Sequence, residues 1–347
     1  MKHIPTDKKV VVFGELMMRL STKRHERIVQ AREFDVSYSG AEANLACALA
    51  GWGVQSAVVS SVPDNAVGDA CIAYMRQFGV DLEHVKRNGF RLGIYYVETG
   101  AGHRPSSFLY NRKGSSITEL GPDDFDWDRI LEGKHWFHVT GITPALADNV
   151  AEIATQACAA AQAKGLTVSC DLNFRRKLWS PEKARAVMPG LLEHVDVLFT
   201  NEEEAAVVFG IEARGSDVGA GRLNPRGYED VATQLAERFT LDVVSITLRE
   251  SHSASENTWS GMLYHGKRFY TSQKFRLQPI VDRVGGGDAF SAGVVYGLLT
   301  GQDLQETVEF SAAASCLKHT VHGDVTLVSF QEVLTLLEGG GSGRIQR

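Results

Sequence analysis

Short unbroken runs of apolar residues recur along the chain, and many of their members are β-branched. Runs of this length predict buried strands of a parallel sheet, because such strands are covered on both faces and need no polar alternation. The runs fall at residues 10–13, 57–60, 136–139, 166–170, 195–199 and 243–247.

Helical patterns lie between these runs, and two of them have recognisable ends. An alanine-rich stretch at residues 150–164 stops at Gly165, a residue suited to the left-handed position after a helix. Ser180 followed by Pro181 is typical of an N-cap and a first helical residue. Strands that alternate with helices predict right-handed βαβ units. We therefore expect an α/β fold with a doubly wound, mostly parallel sheet and helices on both faces.

Two segments in the first third of the chain follow a different pattern. Residues 34–38 alternate apolar and polar positions, and residues 93–111 do so in pieces around a Gly-Ala-Gly sequence. Alternation predicts strands with one face in water, which a layer buried under helices does not need. We expect a small β-sheet lid, inserted as about residues 15–39 and 91–118 into a single domain of residues 1–347.

The composition argues against several classes of protein. A net charge of −6 without any long Lys/Arg run supplies no basic surface for nucleic acid. The five cysteines are scattered and never spaced as C-x-x-C, so neither a disulfide framework nor a zinc site is expected. No stretch has the character of a membrane span or signal peptide, which predicts a cytoplasmic protein with no membrane partner.

The strongest chemical signal is the sequence VDRVGGGDAFSAG at residues 281–293. Gly285, Gly286 and Gly287 open a predicted helix, whose N-terminal N–H groups attract anions and whose glycines let a phosphate approach closely. Asp288 falls in the first turn. Its carboxylate can accept a proton from a hydroxyl that attacks a bound γ-phosphoryl group. The alternative is a glycine-rich turn in which Asp288 only favours the helix dipole.

This stretch resembles the C-terminal signature of the PfkB, or ribokinase-like, carbohydrate kinases, D-T-x-G-A-G-D followed by a small-residue helix. Arg283 replaces the threonine, and Gly286 replaces the alanine. The resemblance implies a kinase that uses ATP and Mg²⁺, with Asp288 as the catalytic base and the ATP phosphates at Gly285 and Gly287.

A second PfkB signature, G-G-x-x-x-N, is similar to residues 39–44, although Ser39 replaces one glycine. It implies that Gly40 and Asn44 contact the sugar; Asn44 alone also fits a residue near a helix start. Glu15, after the first strand, matches a family position that faces the sugar. For Glu15 a solvated turn residue is the other interpretation.

The family's N-x-x-E motif is matched by Asn201 and Glu204. The match implies that Asn201 lies at the nucleotide and that Glu204 acts on Mg²⁺ indirectly, through water. A capping box explains the same two residues without a metal. Thr247 and Arg249 stand where many members have a T-x-G nucleotide-binding stretch, but the glycine is missing. Small residues at 312–315 either flank adenine or pack a helix.

Three further stretches look like those of 2-keto-3-deoxygluconate kinases: residues 91–96, 110–115 and 171–175. A sugar acid carries a carboxylate, and arginine guanidinium groups hold carboxylates through paired hydrogen bonds. The resemblance places five residues around the substrate, with aromatic walls that have a hydroxyl at the wet end. They are Tyr95, Tyr110, Arg112, Arg175 and Asp324. Ordinary lid packing also explains each tyrosine, and a surface salt bridge or a phosphate contact also explains Arg175.

Three rival functions remain to be separated from a sugar-acid kinase. The first is a kinase of the same fold for a neutral sugar such as fructose or ribose, and the second is a non-catalytic sugar-binding protein. A dinucleotide-dependent oxidoreductase is disfavoured because no G-x-G-x-x-G follows the first strand. Apolar residues on an exposed lid also allow a homo-oligomer that pairs through the lid.

Overall fold

Fourteen strands are found in the computed structural model, which describes residues 1–4, 6–213 and 224–340. In chain order they are β1 (Lys9–Phe13), β2 (Met17–Ser21), β3 (Asp35–Ser39), β4 (Gln55–Val62), β5 (Val85–Arg87), β6 (Gly93–Glu98), β7 (Ser107–Asn111), β8 (Trp136–Thr140), β9 (Thr167–Asp171), β10 (Val197–Thr200), β11 (Val243–Ser251), β12 (Asn257–His265), β13 (Arg268–Thr271) and β14 (Phe275–Leu277).

The α-helices lie between and after these strands. They are α1 (Ala41–Gly51), α2 (Ala66–Arg76), α3 (Trp127–Ile130), α4 (Asp148–Ala163), α5 (Pro181–Leu192), α6 (Glu202–Phe209), α7 (Pro225–Phe239), α8 (Gly286–Leu299), α9 (Leu304–Lys318) and α10 (Phe330–Thr335). Within the described part of the chain, no helix combines the length and apolar character needed to cross a membrane.

Ten of the strands form one central sheet, in the order β13-β12-β11-β10-β9-β8-β1-β4-β5, with β14 also paired to β12. Every pairing from β11 across to β5 is parallel. The predicted doubly wound α/β fold is confirmed, and each predicted apolar run overlaps a strand. The β12–β14 edge is antiparallel and was not predicted. The sequence feature that could have predicted this edge is Gly266-Lys267, which forms the tight turn between β12 and β13 with positive φ at both residues.

The sheet separates two apolar cores. On β1, Val11 and Phe13 belong to one cluster and Val10 and Val12 to the other. A strand buried on both faces needs an unbroken apolar sequence, which is why these strands could be predicted from the runs. Four of the five cysteines are buried, and all five are free.

The predicted helix boundaries also appear in the structure. Gly165 follows α4 with a φ of +75°, and the Ser180 hydroxyl accepts a hydrogen bond from the Lys183 N–H at the start of α5.

A separate four-stranded sheet has the order β3-β2-β6-β7 and forms the lid. The expected alternating segments supply β3, β6 and β7; β2 pairs in parallel with β6 and antiparallel with β3. One face packs Met17, Tyr95 and Val97 together, and the other leaves Val36 and Leu109 more than half exposed. The lid therefore has the wet face that its alternation predicts.

Candidate active site

A cleft of about 630 Å³ lies between the lid and the carboxyl ends of the central parallel strands. In an open α/β sheet this edge is where ligands bind. Nearly all the predicted site residues line it: Gly40, Asn44, Tyr95, Tyr110, Arg112, Arg175, Asn201, Glu204, Thr247, Arg249, Gly285, Gly287, Asp288 and Asp324. Gly286 is the exception, because it faces α9 behind the turn.

The turn at residues 285–287 has the shape that its glycines predict. Gly285 has a φ of +82°, and a Cβ there would lie 2.0 Å from the Asp324 carbonyl oxygen. A Cβ on Gly286 would strike the His319 ring at 2.4 Å, and its carbonyl accepts a hydrogen bond from Ser315 (2.7 Å). A Cβ on Gly287 would meet nothing within 4 Å. Asp324 and His319 therefore hold the turn on one side. Its other side faces the cleft, where the first N–H groups of α8 have no intrahelical partner.

The carboxylate of Asp288 lies in the first turn of α8 and faces the first turn of α1. Asn44 Nδ2 donates a hydrogen bond to Asp288 Oδ2 over 2.7 Å. Burial raises the pKa of Asp288 to about 7, partly opposed by this hydrogen bond and by the charge of Arg175. A carboxylate with a pKa near neutrality suits a general base. Among the described residues, the buried Oδ1 of Asn44 has no hydrogen-bond partner.

Two more carboxylates, the half-buried Asp171 and the buried Glu204, form the floor of the cleft. Asp171 ends β9, and Glu204 lies in the first turn of α6, whose N-cap Asn201 accepts a hydrogen bond from the Glu204 N–H (3.0 Å). Burial raises the pKa of Glu204 to about 7; burial and the charge of Glu204 both raise the pKa of Asp171. Arg175 Nη1 lies 4.0 Å from Glu204. Asp171 belongs to the 171–175 stretch that resembles 2-keto-3-deoxygluconate kinases, but no role was predicted for it.

At the lid end of the cleft, Arg112 is paired with the carboxylate of Glu15. Its Nε donates a hydrogen bond to Glu15 over 2.7 Å, and Ser115 donates to the same carboxylate. Glu15 is only 3% exposed, so the solvated-turn interpretation is wrong. The rings of Tyr95 and Tyr110 stack at 6.0 Å, and the Arg112 guanidinium lies 5.7 Å from the centre of the Tyr110 ring.

Gly40 caps α1, and a Cβ there would lie 2.1 Å from the Glu15 carbonyl oxygen. The close approach that requires glycine is therefore one between two backbone segments.

Asp324 is already engaged by protein groups. It accepts hydrogen bonds from Tyr95 and from Ser39 (2.7 Å) on the lid, and it forms an ion pair with Arg19. Arg19, on β2, also pairs with Asp282 at 2.6 Å. The Tyr95 hydroxyl therefore points into a buried network, which corrects the expectation of a hydroxyl at the wet end of that ring. Neither Arg19 nor Asp282 was predicted at the site.

The half of the cleft away from the lid is lined by Asn201, Thr247 and Arg249, whose role in nucleotide binding stays a prediction. Asn257, Trp259, Arg283 and His319 also line this half and were not predicted. The small residues of α9 do not reach it: Ala312, Ala313, Ala314 and Ser315 are fully buried, and none of them lines the cleft. Of the two interpretations given for these residues, the structure supports helix packing.

Comparison with known proteins assigns the family. The family model of the pfkB family carbohydrate kinases matches residues 7–329. This chain belongs to the PfkB family. The predicted resemblance is thereby confirmed over almost the whole sequence.

Several PfkB relatives resemble this chain over nearly their full length. A 2-dehydro-3-deoxygalactonokinase from Haloferax volcanii is 32% identical over 96% of this chain and 98% of its own length. A 2-dehydro-3-deoxygluconokinase from Thermoproteus tenax is 28% identical over 91% of this chain and 89% of its own. The crystal structure of 2-dehydro-3-deoxygluconokinase from Thermotoga maritima has a TM-score of 0.92 and 45% identity, covering 96% of this chain and 100% of that one.

Proposed function

We propose that this PfkB protein transfers the γ-phosphoryl group of ATP to the primary hydroxyl of a sugar acid. The substrate we favour is 2-keto-3-deoxygluconate, and the product is its 6-phosphate. The observation that carries the proposal is the half-buried Asp288 carboxylate, whose pKa is raised to about 7 by burial, beside the N-terminus of α8. The names of the relatives from H. volcanii, T. tenax and T. maritima support a keto-deoxy sugar acid as substrate.

In this mechanism Asp288 accepts the proton of the substrate hydroxyl while the hydroxyl oxygen attacks the γ-phosphorus. Asn44 holds the carboxylate through its Nδ2 group, and its unpartnered Oδ1 can accept a hydrogen bond from a substrate hydroxyl. The N–H groups of residues 286–288 stabilise the charge on the transferring oxygens. The lid above the cleft excludes water, which would otherwise compete as acceptor.

The cleft floor fits a magnesium ion that is bound mainly through phosphates and water. Glu204 is buried and Asp171 is half-buried, and burial together with the charge of Glu204 raises the pKa of Asp171. A nearby cation would relieve this repulsion. Mg²⁺ usually keeps several waters and takes phosphate oxygens, so it needs few protein ligands. When bound, Mg²⁺ would neutralise phosphate charge, and Asn201, the N-cap of α6, would position Glu204 near it.

For the acid group of the substrate we propose Arg175 as the main cation. Its side chain is 43% exposed in the cleft, and its ion pair with Glu204 is long at 4.0 Å. Arg112 is already paired with Glu15, so we assign it to the wall formed with Tyr110 and Tyr95. Asp324 supports this wall through the Tyr95 hydroxyl. Gly40 shapes the entrance by letting α1 approach Glu15.

The kinase assignment is tested with a substrate panel, ATP and Mg²⁺, by measuring ADP release. We expect turnover of 2-keto-3-deoxygluconate or its galacto epimer, with fructose and ribose at least about tenfold slower in kcat/KM. Faster turnover of fructose or ribose supports the neutral-sugar kinase instead. Sugar-acid binding without ADP release supports a non-catalytic binding protein.

We also propose that residues 1–347 act as one kinase domain in the cytoplasm and that two copies pair through the lid. The cross-strand register places Val36, Leu20, Tyr96 and Leu109 in one row on the outer lid face. Val36 and Leu109 in this row are exposed, and contiguous exposed apolar surface can mark a protein contact. Light scattering should show a dimer or larger assembly that dissociates in the Leu109→Asp variant; a monomeric wild type at working concentration contradicts the pairing.

A further inference from the structure

Lys318, the last residue of α9, has no exposed surface at all. Lysine is almost never fully buried unless its charge is matched nearby. No role for Lys318 follows from the reaction as described above, so its burial needs an explanation of its own.

The side chain of Lys318 runs beneath the phosphate-binding turn. Its Cε lies 3.1 Å from the place that a Cβ on Gly285 would occupy. Its Nζ donates a hydrogen bond to the carbonyl of Val321 over 3.3 Å. The turn is thus supported from below by one methylene chain that ends in an ammonium group.

A Lys318 ammonium would offset part of the negative charge of the buried carboxylates near it. Asp282 and Asp324 are both buried, and Arg19 forms ion pairs with both. One guanidinium against two carboxylates leaves a net negative charge, which the Lys318 ammonium cancels. Burial lowers the pKa of Lys318, and the carboxylates of Asp282, Asp324 and Asp288 oppose that effect while Arg19 adds to it.

The two carboxylates also fix the backbone on either side of the turn. Asp282 accepts hydrogen bonds from the N–H groups of Val284 and Gly323, both at 3.1 Å. The Asp324 carbonyl oxygen lies so close to Gly285 that a side chain at that position would clash with it. A charge imbalance in this cluster would therefore act directly on the segment that carries Asp288.

We propose that Lys318 is a positioning residue whose ammonium serves as an internal cation for the turn at residues 285–288. It holds this turn in the shape that receives the transferring phosphate, so the enzyme needs no added monovalent cation. The inference rests on the proposed kinase function, since it assigns Lys318 to the same site.

The test compares Lys318→Ala with Lys318→Met. Both variants should lose at least about tenfold in kcat, because the anion-binding turn loses its support, with little change in KM for the sugar acid. Ammonium or methylammonium ions should restore kcat in Lys318→Ala, where truncation leaves room for a small cation. They should not restore Lys318→Met, whose side chain fills that space. The control is Lys164→Ala, which removes a surface lysine paired with Asp128 at the end of α4 and should keep wild-type kcat.

A second readout does not need turnover. Ammonium ions should raise the unfolding temperature of Lys318→Ala and leave that of Lys318→Met and of the wild type unchanged. Wild-type kcat should be the same in tetramethylammonium buffer with or without K⁺. The inference is overturned by wild-type kcat in Lys318→Ala, by a lack of ammonium rescue, or by strong activation of the wild type by K⁺.

If neither variant folds, the comparison of wild-type kcat with and without K⁺ tests the inference instead. A wild type that turns over none of the panel substrates defeats the kinase proposal, and the ammonium-dependent unfolding temperature then tests Lys318 separately.

Discussion

Asn44 Nδ2 lies 2.7 Å from Asp288 Oδ2, which joins two residues 244 positions apart in the sequence. Each residue lies in the first turn of a helix, Asn44 in α1 and Asp288 in α8. The hydrogen bond stabilises the charged form of a carboxylate whose pKa burial raises. Asn44 thus sets both the orientation and the proton affinity of the proposed base.

Replacing Asn44 with Leu should move the acidic limb of the pH profile of kcat/KM to higher pH. The base is active when deprotonated, so the rate of the wild type should rise as pH passes through about 7. Loss of the Asn44 donor raises the pKa of Asp288 further, and the limb follows it. The pH–rate profiles of the two proteins check this; an unshifted limb in Asn44→Leu excludes Asn44 from tuning the base.

The free energy of unfolding of Asp288→Asn, relative to that of the wild type, should increase with pH. The pKa of Asp288 is about 7 in the folded protein, against an ordinary value of 3.8. The folded state therefore holds this proton more tightly, and the carboxylate weakens the fold as pH rises from about 4 to about 7. Asp288→Asn should be more stable than the wild type at pH 8, by at most about 4 kcal/mol, and by less at pH 5.

Denaturant unfolding at the two pH values measures this difference. A variant that is equally destabilised at pH 8 and pH 5 would show that the Asp288 carboxylate is not strained by burial.

Replacing Arg175 with Ala should discriminate between substrates. A charged hydrogen bond to the sugar-acid carboxylate contributes about 1.5–3 kcal/mol, so KM for the acid should rise roughly 10- to 100-fold. KM for fructose, which lacks the carboxylate, should change little. The matched control is Arg185→Ala, because the Arg185 Nε donates to the Val207 carbonyl outside the cleft. Equal losses on both sugars contradict the proposed role.

The ion pairs of Arg19 should hold the lid to the core. Arg19→Met leaves Asp282 and Asp324 buried with one cation fewer, and breaking such a pair costs about 3–5 kcal/mol. Arg104→Met is the control, since Arg104 pairs with Glu98 near the lid surface and should lose less than about 1 kcal/mol. Denaturant unfolding compares the two; similar small losses would mean that Arg19 does not fasten the lid.

Local sequence signals predicted the elements and the turn because each depends on neighbouring residues. Unbroken apolar runs identified the parallel strands, and three glycines before Asp288 identified the helix start that faces the cleft. The antiparallel β12–β14 edge went unpredicted, because its strands carry less distinctive patterns. For the small residues of α9 at 312–315 the sequence left adenine contact and helix packing open, because neither leaves a local signal; in the structure the Ser315 hydroxyl donates a hydrogen bond to the Gly286 carbonyl of α8.

Contacts between distant residues could not be predicted from such signals. Arg19 lies in a short lid strand, and nothing around it in the sequence indicates that it pairs 263 and 305 positions away, with Asp282 and Asp324. The same holds for Glu15 and Arg112, 97 positions apart. Asp171 did carry a signal, since a carboxylate at the end of a buried parallel strand faces the ligand edge of the sheet.

The most direct measurement of the whole proposal is kcat of Asp288→Asn with 2-keto-3-deoxygluconate, ATP and Mg²⁺. A missing general base should lower kcat by about 10²–10⁴-fold, while calorimetry should show sugar-acid affinity close to that of the wild type. Turnover near the wild-type rate in this variant would contradict the assignment of Asp288 as the group that takes the proton.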